Sequence, residues 1–221
     1  MKFWFCLAWE SAKGMFIVGL TGGVATGKSS VSRMLKEEGA YIIDADQIAK
    51  ELVEPHSPAW NEIQSIFGQE ILSRDDLIDR KKLAAIVFSS PEKRKLLSRI
   101  LHPRIKKEMA RRVNAIGQKD PQAIVVIDAP LLVETGYHRE MERVILVLST
   151  EMQQIERLRN RDGMDPEDAR KIISSQMPLK EKMKVADFII ENEGSLEEAR
   201  RRVKEIFQEL RGLAMEKKRG G

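Results

Sequence analysis

The chain has 221 residues, 42% hydrophobic and 33% charged, a globular balance with room for one α/β domain and an inserted lobe. Lys and Arg outnumber Asp and Glu by 38 to 34, a surplus that suits anionic small molecules and includes no tract basic enough to argue for nucleic acid. The single cysteine, Cys6, excludes an intrachain disulfide, and no stretch approaches the roughly 20 apolar residues that cross a bilayer.

The opening residues, Met1 to Trp9, resemble the start of a signal peptide. Their apolar run is short, and Glu10 and Lys13 follow without a small-residue cleavage site. Residues 1–14 are therefore expected to form a disordered extension of a cytoplasmic protein, with a docking arm and a membrane-surface anchor as alternatives. The working domain is expected to begin near Met15.

Phe16 to Leu20 is a short apolar run entering Thr21-Gly22-Gly23, the pattern of a buried strand leading into a loop. Val31, Met34 and Leu35 then recur at helical spacing until Gly39 stops the helix. Tyr41-Ile42-Ile43 is a second strand that delivers Asp44 and Asp46, with a helix through Ile48 and Leu52 behind it. From Pro55 to Asn114 the pattern is helical, too long for a simple crossover between strands, so it predicts a lobe built onto a sheet.

Ala123 to Ile127 is the most strand-like run and ends in Asp128. Val144 to Leu148 and Phe188 to Ile190 are further strands, separated by a polar helical stretch dense in Arg and Lys. An amphipathic helix from Leu196 carries Val203, Ile206, Phe207 and Leu210 on one face, and fraying is expected over residues 212–221. Strands alternating with helices predict a mostly parallel sheet covered on both faces.

The sharpest chemical signal is Gly22-Gly23-Val24-Ala25-Thr26-Gly27-Lys28-Ser29, which fits G-x-x-x-x-G-K-[ST] between a predicted strand and a predicted helix. Glycines let a backbone wrap a phosphate with its N–H groups inward, and the helix N-terminus adds a favourable field. Lys28 is placed to neutralise the outer phosphates of a nucleoside triphosphate, and Ser29 to help hold Mg²⁺. Ser30 completes the expected nucleotide-binding set.

Asp44 and Asp46 end a strand on the side where open parallel sheets bind ligands. A carboxylate there can accept the proton of an attacking hydroxyl, and equally can cap the next helix. Asp128, at the end of an apolar strand, is a candidate for magnesium or its water shell, or simply a strand-end turn residue. Arg157, Arg159 and Arg161 precede an Asp-Gly turn. Such a run is usually a solvated helix face, and Arg161, at the helix end, is the one singled out for a transferred phosphoryl group. His102, in the helical stretch, is by itself a packing or capping residue, and the three histidines share no metal-ligand spacing.

Together the segments GLTGGVATGKSSV, YIIDADQIAKELV, LHPRI, VVIDAPLLVETG, RNRDGMDPEDARKIISSQMP and ADFIIENEGSLEE, in this order, resemble the dephospho-CoA kinase family over residues 15–211. The resemblance implies an α/β fold: a P-loop NTPase-type parallel sheet covered by helices, with a helical substrate-binding insert and a helical lid. It divides the chain into a core of residues 15–55, 120–156 and 186–211, a CoA-binding lobe near 56–115 and a lid near 157–180. It implies transfer of phosphate from ATP, with Mg²⁺, to the ribose 3′-hydroxyl of dephospho-CoA, and no obligatory protein, nucleic-acid or membrane partner.

In that family Asp44 matches the residue proposed as general base, Arg161 a lid arginine near the phosphates, and Asn192 an adenine contact after the last strand. Asp46 and His102, in two of the matching segments, join Asp44 as expected substrate contacts. Three positions depart from the family's usual pattern: Ala25 replaces a P-loop glycine, Ile172 a lid arginine, and Glu193 a small polar residue. If Ala25 has a positive φ, the substitution costs about 1 kcal/mol. Another small-molecule kinase of the same fold would share the phosphate loop and is set apart by the Asp44-Ala45-Asp46 motif and the large helical insert, whereas an ATP-binding switch without an acceptor would leave Asp44 no evident catalytic task.

Overall fold

A computed structural model describes residues 14–220. Apart from Gly14, the expected N-terminal extension, with Cys6, lies outside the described residues. The chain divides into two compact units, one spanning Asp44–Ala115 and the other taking the residues on either side.

The second unit is built on a five-stranded parallel sheet of order β2-β3-β1-β4-β5. Its strands are β1 (Phe16–Gly22), β2 (Tyr41–Asp44), β3 (Ile124–Asp128), β4 (Arg143–Leu148) and β5 (Phe188–Glu191). β1 lies between β3 and β4, with Val18 opposite both Val126 and Arg143. All seven residues of β1 are buried, as expected of a central strand covered on both faces.

On one face Val18, Leu20, Val126, Ile145 and Val147 pack with Val31, Met34 and Leu35 of α1 (Lys28–Glu37) and with the apolar side of a C-terminal helix, Leu196–Gly220. On the other, Gly19 leaves the space that Leu132 fills: a Cβ there would lie 2.3 Å from Leu132 Cδ2. The C-terminal helix continues to Gly220 because Lys217 donates to the Met15 carbonyl at 3.0 Å and pairs with Glu142, whose other oxygen accepts from Ile17 N–H at 2.6 Å.

The first unit contains α2 (Ala45–Leu52), α3 (Pro58–Phe67), α4 (Arg80–Ser89) and most of α5 (Pro91–Lys119). Ser57 caps α3 through Trp60 N–H, and Asp79 caps α4 through Lys81 and Lys82. Its own core gathers Ala59, Ile63, Phe67, Ile71 and Ile100. The boundary falls earlier than residue 56. α2 goes with the helices because Glu51 pairs with Arg112 and Val53 packs against the Ile63 cluster. Among the described residues, no helix is long and apolar enough to cross a membrane.

Candidate active site

β1 delivers the glycine-rich loop and α1 receives it. Gly27, at the N-cap of α1, has φ 90°, a conformation open to glycine and strained for other residues. Ala25 stands in the left-handed region at φ 57°, so the cost foreseen for alanine applies. Thr26 is fully buried and donates through Oγ1 to the Gly23 carbonyl at 3.0 Å, closing the loop on itself. Ser30 N–H donates to the Gly27 carbonyl at 2.9 Å, so it is the N-terminal amides of Lys28 and Ser29 that present the positive helix end.

The loop's carbonyls are taken up from outside. The Val24 carbonyl accepts from Gln154 Nε2 at 2.6 Å, that of Ala25 from Arg157 Nη1 at 3.1 Å, and that of Thr26 from Asn192 Nδ2 at 2.8 Å. Val24 N–H donates to Gln176 Oε1 at 2.8 Å. Arg157 also donates through Nη2 to the Asn192 carbonyl at 2.8 Å, joining two of these supports. Gln154 and Arg157 belong to α6 (Glu151–Asp162), started by a capping box of Thr150 and Gln153. Gln176 follows α7 (Pro166–Ser174), and α8 (Leu179–Met183) places Leu179 beside Gly23.

Lys28 pairs with Asp128, the last residue of β3, and their side chains are only 16% and 5% exposed. The register that sets Leu20 of β1 against Asp128 brings this carboxylate to the loop. An oxygen-seeking ion such as Mg²⁺ needs only one or two protein oxygens when phosphates and water complete its shell. The exposed Ser29 hydroxyl and the Asp128 carboxylate are donors of that kind, so the residues present fit the ion.

Sequence reasoning singled out Arg161, yet the structure ties it to its neighbour Asp162 at 2.7 Å and leaves its side chain 65% exposed. Arg157, which it passed over, is the arginine on the loop. Gln154 was missed as well, since a polar side chain in a charged helical stretch carries no motif, and Gln176, although inside one of the family-like segments, was assigned no role. Asn192, expected at adenine, is held against the loop backbone through the Thr26 carbonyl.

In the helical unit Asp44 stands at the start of α2, exposed, with Oδ1 accepting from Gln47 N–H at 2.9 Å. It therefore caps the helix, as the alternative reading allowed. Asp46 lies in the first turn of α2. A cleft of about 310 Å³ runs beside it, with Asp46, Lys50 and Arg80 at the rim and Val53, Ile63 and Leu101 in its floor. Neither Lys50 nor Arg80 forms an ion pair among the described residues. His102, half-buried on α5, has its pKa lowered by desolvation, so the ring is neutral near pH 7.

A family model described as dephospho-CoA kinase matches residues 16–198. The chain is 46% identical over 197 residues to a dephospho-CoA kinase domain-containing protein of Danio rerio, covering 89% of this chain and 86% of that protein. It is 45% identical over 180 residues to the dephospho-CoA kinase of Bacillus thuringiensis subsp. konkukian, covering 81% and 90%. Among solved structures, a Thermus thermophilus protein superposes with a TM-score of 0.77 at 30% identity, over 88% of this chain and 97% of that one. The dephospho-CoA kinase of Campylobacter jejuni does so at 0.66 and 28% identity, over 90% and 98%.

Proposed function

Because the chain belongs to the dephospho-CoA kinase family, we propose that it transfers the γ-phosphoryl group of ATP to the ribose 3′-hydroxyl of dephospho-CoA, giving coenzyme A and ADP. The observation that carries this reading is the pairing of the loop lysine, Lys28, with Asp128 beside the amides of α1.

ATP places its phosphates in the loop, against the N-terminal end of α1 and the ammonium of Lys28. Incoming phosphates draw Lys28 from Asp128, so a cation passes to the oxygens that gain charge while a carboxylate is released beside Ser29. A magnesium ion held by Ser29 and Asp128 would neutralise charge on the outer phosphates. Asp44 accepts the proton of the 3′-hydroxyl as its oxygen bonds the γ-phosphorus and the bond to ADP breaks. Arg161 is the lid cation expected to meet the transferred group, and Asn192 to border adenine while bracing the loop.

The acceptor extends from Asp44 along α2. Lys50 is six residues farther, about 9 Å along the helix axis, the scale of a ribose and its 5′-diphosphate. Lys50 and Arg80 suit that diphosphate, Val53, Ile63 and Leu101 suit the pantetheine chain, and Asp46 with neutral His102 supply polar contacts on the acceptor side. We place the reaction in the cytoplasm, where ATP and magnesium are both abundant.

The test is ADP release with ATP, Mg²⁺ and dephospho-CoA, with mass spectrometry of the product. Acceptor-dependent formation of coenzyme A is the expected result. ADP formed only with another acceptor would retain the kinase and remove the substrate. Tight ATP binding without turnover on any acceptor would favour the switch.

A further inference from the structure

Lys182, in α8, is fully buried, with a side-chain exposure of 0%. A lysine normally keeps its ammonium in water even when its methylenes are covered. Here the ammonium donates to the Pro130 carbonyl at 2.7 Å and pairs with Glu134 Oε1 at 2.8 Å. Filling this space would need only a leucine or methionine, so the charge has a task that volume does not explain.

Its partners identify the task. Pro130 is two residues after Asp128, in the turn that leaves β3. The same Pro130 carbonyl accepts from Thr21 Oγ1 at 3.1 Å, and Ala129 N–H donates to the Leu20 carbonyl at 3.0 Å. The turn is thus held on one side by the strand that enters the phosphate loop and on the other by Lys182. Pro130 has no N–H to offer, so this carbonyl is the backbone group through which its peptide is fixed. Within the same segment, Gln176 holds Val24 and Leu179 lies against Gly23.

We propose that Lys182 is a positioning residue for phosphoryl transfer: it fixes the Ala129-Pro130 turn and thereby aims the Asp128 carboxylate. The ammonium does not touch substrate. It acts through the turn, which must hold Asp128 in place as Lys28 leaves it for the phosphates. This rests on the reading of Asp128 as part of the reaction centre.

Lys182→Met keeps the length of the side chain and removes its charge. It is expected to lower kcat by about 10- to 100-fold, the range for losing a residue that supports a reactive group, with KM for ATP and dephospho-CoA changing much less. A double-mutant cycle separates this from a general structural effect. Added to Asp128→Asn, Lys182→Met is expected to lower kcat little further. A full multiplicative loss in that background, or unchanged kcat in folded Lys182→Met, overturns the proposal. Should Lys182→Met fail to fold, Glu134→Gln takes its place in the cycle and the same two outcomes decide. Asp128→Asn with normal turnover would remove the underlying reading of Asp128, a result distinct from an unaffected Lys182→Met.

Discussion

The Asn192 side-chain amide donates to the Thr26 carbonyl at 2.8 Å, so the loop after the last strand braces the phosphate loop. A Cβ on Gly27 would lie 2.0 Å from Asn192 Nδ2, and the backbone there has φ 90°. Gly27→Ala therefore meets two penalties, left-handed strain of about 1–2 kcal/mol and displacement of the brace. It is expected to impair kcat/KM for ATP by more than Asn192→Ala, whose loss of one hydrogen bond raises the ATP KM about fivefold. Steady-state kinetics at saturating acceptor check the order.

Asp44→Asn separates capping from catalysis. Asparagine caps a helix about as well as aspartate, so the melting temperature should stay close to the original. Asparagine cannot take the hydroxyl proton, and kcat should fall about 10²- to 10⁴-fold. Normal turnover would remove Asp44 as the base.

Lys50→Gln and Arg80→Gln should each raise KM for dephospho-CoA about tenfold, the scale of one charge-assisted hydrogen bond, and leave KM for ATP unchanged. With adenosine as a truncated acceptor, which has neither diphosphate nor pantetheine, the two variants should match the parent protein. An equal defect on adenosine would place the diphosphate elsewhere.

Glu108 gives a pH prediction. Hydrogen bonds and charge from Arg111, opposed by some desolvation and aided by Arg112, lower its pKa from 4.5 to about 2. A carboxyl depressed in the folded state contributes stability that is present above 4.5 and lost as pH falls toward 2. Glu108→Gln should thus be about 1–2 kcal/mol less stable at pH 7, allowing for solvent screening of the pairs. The difference should shrink between pH 4.5 and pH 2. Urea titrations at several pH values measure it, and a difference independent of pH would refute the assignment.

The phosphate loop was legible because its glycines, lysine and serine serve local backbone geometry and charge, and local needs leave local patterns. The helical unit was legible for a similar reason: Ile63, Ile100 and their neighbours keep helical spacing. The braces of the loop were not, because Gln154, Arg157 and Gln176 act on residues more than 100 positions away. Only the fold chooses Arg157 over Arg161 in a run where both look alike. Lys182 was hidden more completely, since a lysine among other lysines gives no sign of burial. The C-terminal helix outlasted its apolar stripe because Lys217 is held at the start of β1, a contact that hydrophobic spacing does not register.

The placement of β1 has a consequence for the order in which the protein is made. β1 carries the loop and is synthesised early, yet both its neighbours come late: β3 begins at Ile124 and β4 at Arg143. Asn192 and Gln176, which hold the loop, leave the ribosome later still. The compact helical unit, Asp44–Ala115, has its own core and is complete before either neighbour of β1 exists. Synthesis from the N-terminus thus completes the helical unit while the apolar strand β1 still lacks both of its partners. Nucleotide cannot protect the nascent chain during that interval, because its cradle takes form only once Gln176 and Asn192 have emerged.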